Sequence, residues 1–157
     1  MIRKLLLILV IYITGCGYQP IYVNKNIDLL EFSKITLIGD NEINRKIINS
    51  LNIKENKTGI LGEELVINTS FKIEETSKNS KGQVISYRSS ANVNLEITKE
   101  KNVISNKTFV QNFTYSNRDN KFDLVEYQNE VKSNISNKII EEIILFINLE
   151  WLLNILI

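Results

Sequence analysis

The chain has 157 residues and 43% hydrophobic content, enough for one domain with a substantial core. Its 19 basic and 18 acidic side chains leave a net charge of +1, so no basic face points to nucleic acid. With no histidine and one cysteine, the usual general base, an internal disulfide and a cysteine-built zinc site are all excluded.

The first element is MIRKLLLILVIYITGC, a basic start, a short apolar run and then small residues. That order predicts a secretory signal peptide over residues 1–15. The run is shorter than the roughly 20 apolar residues that span a bilayer. Ile13-Thr14-Gly15-Cys16 resembles the bacterial lipobox. In lipoproteins of that kind the thiol receives a diacylglyceryl group, the peptide is cut before the cysteine and the new amino terminus is acylated. Cys16 is therefore read as a lipid attachment point. No histidine exists to lower its pKa, and only Gly15 and Gly17 flank it. Each buried CH₂ contributes about 0.8 kcal/mol, and two or more chains give stable anchoring.

Residues 16–30 read as a lipidated tether, with Pro20 fixing φ and removing a donor. The domain then runs over 31–157. A strand is expected over 31–38 with Phe32, Ile35 and Leu37 in the core. Gly39-Asp40-Asn41 breaks it, and Asp40 or Asn41 can cap a helix over 42–53. Ile43, Ile47, Ile48 and Leu51 form one face of that helix. Residues 65–73 and 85–97 alternate with period two, placing Leu65 to Ile73 and Ile85 to Ile97 inward at every second position. Residues 98–102 turn, and 103–115 form the next strand with Phe109, Phe113 and Tyr115, so the two long strands make a hairpin. After the polar loop SNRDN the period changes to three and four, from Leu124 to Phe146, which predicts a long amphipathic helix capped by Asn120 or Asp123. The fold class is α+β: a two-layer sandwich of an approximately four-stranded sheet with two helices on one face. Its other face is expected to be polar, and either wet or against a partner.

The start of the mature chain, CGYQPIY at 16–22, resembles the LPS-assembly lipoprotein family, LptE, in its alphaproteobacterial versions. The later pattern is also similar to that family. A strand containing Arg88 is followed by a turn and a strand ending FTYSN at 113–117, then by a long helix opening FDLVEYQNEV at 122–131. The resemblance implies an outer-membrane lipoprotein on the periplasmic side that complexes with the LptD β-barrel. It implies a plug-like role in barrel assembly and in lipopolysaccharide delivery to the outer leaflet. An auxiliary lipoprotein of another envelope transport system is the rival reading.

Arg88, Arg118 and Lys121 are candidate contacts for lipid A phosphates, because a guanidinium fork donates paired bonds to phosphate. Taken alone, each reads first as a solvated surface charge, one among 19 basic residues. Glu63-Glu64, Glu74-Glu75 and Glu141-Glu142 are adjacent acids that diverge on either kind of element, so they read as solvated charges. Tyr87 and Tyr127 read as core aromatics. With no nucleophile setting, an enzyme is not expected, nor is a cofactor or metal. The apolar tail LFINLEWLLNILI, 145–157, is read as the end of the last helix docked on the sheet, the alternative being a barrel or membrane contact.

Overall fold

A computed structural model describes residues 30–56 and 62–155. The leader, the tether and Cys16 lie outside the described residues. The strand expected over 31–38 is split into two. β1 (Leu30–Phe32) stops at Ser33, and β2 (Lys34–Gly39) continues in a different sheet. Ser33 sits at the switch: its N–H and its hydroxyl both donate to the Glu63 carbonyl, each at 2.7 Å. β1 pairs in parallel with β3 (Ile53–Glu55), a two-stranded sheet that the sequence pattern does not announce.

Between them lies α1 (Asn41–Ser50). Asp40 caps it, its Oδ1 accepting from the N–H groups of Glu42 and Ile43 at 3.0 Å each. The helix ends before the expected residue 53 because Asn52 adopts φ +49, in the left-handed region. The chain then enters β4 (Glu63–Lys78), β5 (Val84–Lys99) and β6 (Asn102–Ser116), joined as antiparallel neighbours. With β2 parallel to β4, the sheet order is β2-β4-β5-β6. The β5–β6 turn is two residues, Glu100 and Lys101, both at positive φ (+51 and +69), the twist that suits a tight hairpin. Finally α2 (Lys121–Ile155) runs back along the sheet. Asn120 provides its cap through Oδ1, which accepts from the Phe122 N–H at 2.9 Å.

Both helices pack on one face of the four-stranded sheet. Ile43, Ile47 and Leu51 from α1 meet Leu65, Ile67 and Val93 from the sheet and Ile135, Ile139 and Ile143 from α2 in one buried cluster. The expected two-layer α+β sandwich is thus present, with the small β1–β3 sheet added at its edge.

A polar knot fixes the β2-to-α1 crossing. Gly39 has φ +90, and a Cβ there would lie 1.7 Å from the Thr69 carbonyl oxygen, so only glycine fits. The buried Asn44 donates to the Ile38 carbonyl at 3.1 Å, and the Thr69 hydroxyl lies 3.1 Å from Asn44 Oδ1. Lys132 of α2 ties the two helices together, with Nζ 2.9 Å from Asp40 and 2.7 Å from Glu42. Burial pushes the Asp40 carboxyl up, but the Ile43 N–H, Lys132 and the Glu42 N–H together outweigh it and hold it below its ordinary value. Burial likewise pushes Lys132 down, and Glu42 and Asp40 outweigh it, so the ammonium is held above its ordinary value.

Several expected core positions are exposed. Leu37 faces the helices from an edge strand yet stays 42% exposed. Ile73, Ile85 and Phe113 lie on the inward face but beyond Thr69, where β2 ends, and nothing among the described residues covers them fully. The tail docks by one side as far as it is described, with Ile147 and Phe146 against the core cluster, and its side chains beyond Leu149 lie outside the described residues. Phe146 packs on Phe109 at 5.9 Å, but Leu145 and Leu149 stand 45% and 61% exposed.

Candidate functional site

Two surfaces carry the site. The first is the sheet face opposite the helices. Alternation puts every second residue of β4, β5 and β6 there, and the register stacks them in rows. Asn68, Asn94 and Thr108 form one row; Ser70, Asn92 and Val110 form another. The amides and hydroxyls bond across strands. Asn94 Nδ2 donates to Asn106 Oδ1 at 2.8 Å and to Thr108 Oγ1 at 2.9 Å, and Asn106 donates to Glu96 at 3.0 Å. Lys72 and Glu74 pair at 2.9 Å in the same plane. Lys72, with a smaller contribution from Arg88, holds the Glu74 carboxyl below its ordinary value. The result is a broad surface of mixed donors and acceptors, with charges of both signs among them (Lys72, Glu74, Arg88 and Glu96) and exposed apolar side chains at Ile38, Ile104 and Val110. Such a surface suits a polar protein wall better than hydrocarbon or a polyanion.

The second surface lies at the far end of the hairpin, where the strands outrun β2. Tyr87, Tyr115 and Phe113 stack across β5 and β6, with centroids 6.0 and 6.4 Å apart. Tyr127 of α2 meets Tyr115 edge-on at 5.5 Å. The Tyr115 hydroxyl is buried 3.1 Å from Ser89 Oγ. Asn117 fastens the loop after β6 to the start of β5. Its N–H donates to the Ile85 carbonyl and its Nδ2 to the Val84 carbonyl, both at 2.8 Å, while its Oδ1 accepts from the Arg118 N–H. That anchor sets Arg118 over the Tyr127 ring, 4.1 Å from its centroid. Phe113 to Arg118 and Tyr127 line an open cleft of about 400 Å³ there. Phe122, 86% exposed, stands at the same end.

The three basic candidates are not one cluster. Arg118 and Lys121 occur in the same loop and helix start. Arg88 is at that end but on the opposite sheet face, where its Nε donates to Thr114 Oγ1 at 3.2 Å. Arg118 has no carboxylate within ion-pair distance among the described residues, so its guanidinium edge is available to an anion. Tyr127 packs against the core cluster, as the sequence reading has it, and Arg118 lies over its half-buried ring as well. Sequence reasoning also missed Asn117, for which a polar loop of five residues gives no signal. Phe122, an apolar residue next to a helix cap with no counterpart on the core face, was the one visible hint.

No protein-family model matches the chain, and no curated protein matches it. Solved structures do. Rare lipoprotein B from Shewanella oneidensis aligns over 74% of this chain and 98% of its own, with a TM-score of 0.52 and 14% identity. Lipoprotein B from Nitrosomonas europaea aligns over 73% and 81%, with a TM-score of 0.56 and 9% identity. A minor lipoprotein from Acinetobacter baumannii aligns over 73% and 89%, with a TM-score of 0.51 and 11% identity. At such identities the likeness is one of fold, and the fold is one that Gram-negative lipoproteins use.

Proposed function

We propose that this chain is an outer-membrane lipoprotein of the LptE type. Acyl groups on Cys16 hold it at the periplasmic side of the outer membrane. Its folded domain enters a β-barrel partner of the LptD type, supports the assembly of that barrel, and assists delivery of lipopolysaccharide to the outer leaflet. The observation that carries the reading is the wide polar face of β4, β5 and β6. It is a wall rich in cross-bonded amides and hydroxyls with interspersed charges, and the lumen of an outer-membrane barrel is polar in the same way. The lipobox, the CGYQPIY start and a fold shared with lipoproteins support it.

Within that reading the far end of the hairpin meets the transported glycolipid. Arg118, set on Tyr127, offers paired N–H donors to a lipid A phosphate, and Lys121 offers a point charge beside it. Arg88, on the other face and bonded to Thr114, serves the barrel contact instead. The reaction class is none: the protein positions partners and makes or breaks no covalent bond. Depleting the chain from its host tests this. The expected result is a fall in correctly folded barrel and in surface lipopolysaccharide. Unchanged levels of both on depletion would remove the proposal.

A further inference from the structure

The two edges of the four-stranded sheet are not alike. β2, at one edge, is only six residues long. Beyond it the same side of β4 is unpaired from Ser70 to Lys78. That stretch carries Lys72, Glu74, Glu75 and Lys78 and breaks register at its end. Short strands, charges and bulges are how sheet edges are kept from pairing with other chains. β6, at the other edge, is long and almost unguarded. It spans 15 residues, contains no proline, and has Lys107 as its only charge. Its one irregularity is near the start, where Thr98 faces Val103 and Ile97 faces Ser105, so Ile104 bulges. From Ser105 to Ser116 the pairing with β5 is unbroken, and no strand pairs with the outer side among the described residues.

Apolar side chains border this edge on both faces. Val110, 55% exposed, lies on the face away from the helices, and the exposed Phe113 lies on the helix face. α2 runs beside the strand: Glu142 accepts from Gln111 Nε2, and Phe146 packs on Phe109. Residues three and four apart share a helix face. Leu145 and Leu149 therefore belong to the flank of Glu142 and Phe146, beside the open edge, and both are exposed. An open edge of this kind is a template for another strand.

The occupant that matches it is the same edge of a second copy. A two-fold axis perpendicular to the sheet lays β6 antiparallel to itself. Residues directly opposite then share a face only if the axis passes through a residue. An axis at Val110 pairs the whole of Ser105 to Tyr115 and brings Val110 against its own counterpart. Lys107 comes opposite Phe113 of the second copy and diagonal to its Gln111, within reach of the Glu142 that Gln111 holds. Neither Lys107 nor Glu142 has an ion-pair partner among the described residues. The one charge on the strand thus meets an opposite charge, and no like charges face each other. α2 packs over β5 and β6, so the two α2 helices lie about two strand spacings apart. That is about 10 Å, a helix-packing distance, with Leu145 and Leu149 turned toward their counterparts. The strand strip is about 37 Å long and about 10 Å deep, or about 700 Å² over both copies. The facing α2 flanks raise it toward the roughly 1,000 Å² that a specific interface needs.

We infer that the outer edge of β6 is a self-association site, through which two copies join their sheets into one, continuous across β6 and β6. This pairing stands apart from the barrel reading. A barrel that encloses one copy displaces the other, so the pair belongs to the chain before it meets that partner.

Light scattering on the full mature chain in detergent, over a range of concentrations, tests it. The expected protein mass is two-fold that of a single chain. Val110→Lys and Val110→Glu each set like charges against each other on the axis, and each should halve that mass. Val110 is exposed, so both variants should keep the wild-type circular dichroism. Mixed in equal amounts, the two should regain the two-fold mass, which a folding defect could not produce. Under oxidation Val110→Cys should form a covalent pair beyond any that the parent chain forms through Cys16. Thr108→Cys and Asn112→Cys should not, because each lies about 14 Å from its own counterpart in this register. A single-chain mass at every concentration overturns the inference. A two-fold mass that neither charge variant alters overturns it too, as does covalent pairing that is equal at all three positions.

Discussion

The two halves of β4 are held by different means. Glu63 to Thr69 has β2 on one side, β5 on the other and α1 above, and the buried Leu65, Ile67 and Thr69 leave little freedom. Ser70 to Lys78 pairs with β5 alone, breaks register near Ser77, and carries an exposed Ile73. The first half is where the chain specifies its own fold. The second is where inward-facing apolar residues remain without a cover. Residues that a monomer does not bury there are available to something else, and the cleft beside Arg118 lies in that half. Buried and uncovered stretches are thus separated along single strands.

That contrast can be broken by substitution. The largest effect is expected at Ile139, which is fully buried against the sheet. Ile139→Ala should cost about 2–5 kcal/mol of unfolding free energy in denaturant titration, from lost burial plus a cavity. Gly39→Ala comes next. The new Cβ would overlap the Thr69 carbonyl at a left-handed φ, so β2 and β4 must separate, at about 2–4 kcal/mol. If Gly39→Ala were neutral, the β2-to-α1 crossing would be wrongly drawn.

Asp40→Ala removes a helix cap and the Lys132 partner, and is expected to cost about 1 kcal/mol near neutral pH. Its sign with pH is fixed by the shifts. Asp40 titrates below its ordinary 3.8 when folded, so its stabilisation is complete above that value and is lost as pH falls through the lower, folded one. Lys132 titrates above its ordinary 10.5, so its share is complete below that value and is lost as pH rises through the higher one. The difference between wild type and Asp40→Ala should therefore be level at mid pH and shrink in strong acid. A difference that grows in acid would contradict the pairing.

The smallest stability effects belong to the far half. Phe122→Ser should change unfolding free energy by less than about 0.5 kcal/mol, and Arg118→Ala, which also loses the contact with Tyr127, by at most about 1 kcal/mol, because both side chains are largely solvent-facing. Their effect should appear in the host, as reduced surface lipopolysaccharide with the protein at normal abundance. A large loss of stability in either variant would assign that end to the fold and not to a partner.

Much of this architecture is legible in the residues. Period two over 85–97 fixes which side of β5 is buried, and Ser89, Ala91, Val93 and Leu95 follow it. The steps from Val131 to Ile143 mark the buried stripe of α2, and Asp40 and Asn120 cap where short polar side chains preceding apolar periods should. What stayed hidden depends on contacts distant in sequence. Ile73, Ile85 and Phe113 have the pattern of core residues, but coverage depends on where β2 ends, which no local pattern states. The three-residue β3 is too short for alternation to show. The separation of Arg88 from Arg118 follows from β5 and the loop after β6 presenting opposite sides of one sheet. Ser33, which divides one apparent strand between two sheets, works through a carbonyl thirty residues away.

The central claim is that the polar sheet face belongs inside a barrel. Affinity purification of the natural chain from its own outer membranes, with partners identified by mass, tests it most directly. The account predicts a large outer-membrane β-barrel in near-equal amount, retained after detergent washes. Recovery of an inner-membrane ATP-driven transporter in its place, or of the chain alone, would contradict it.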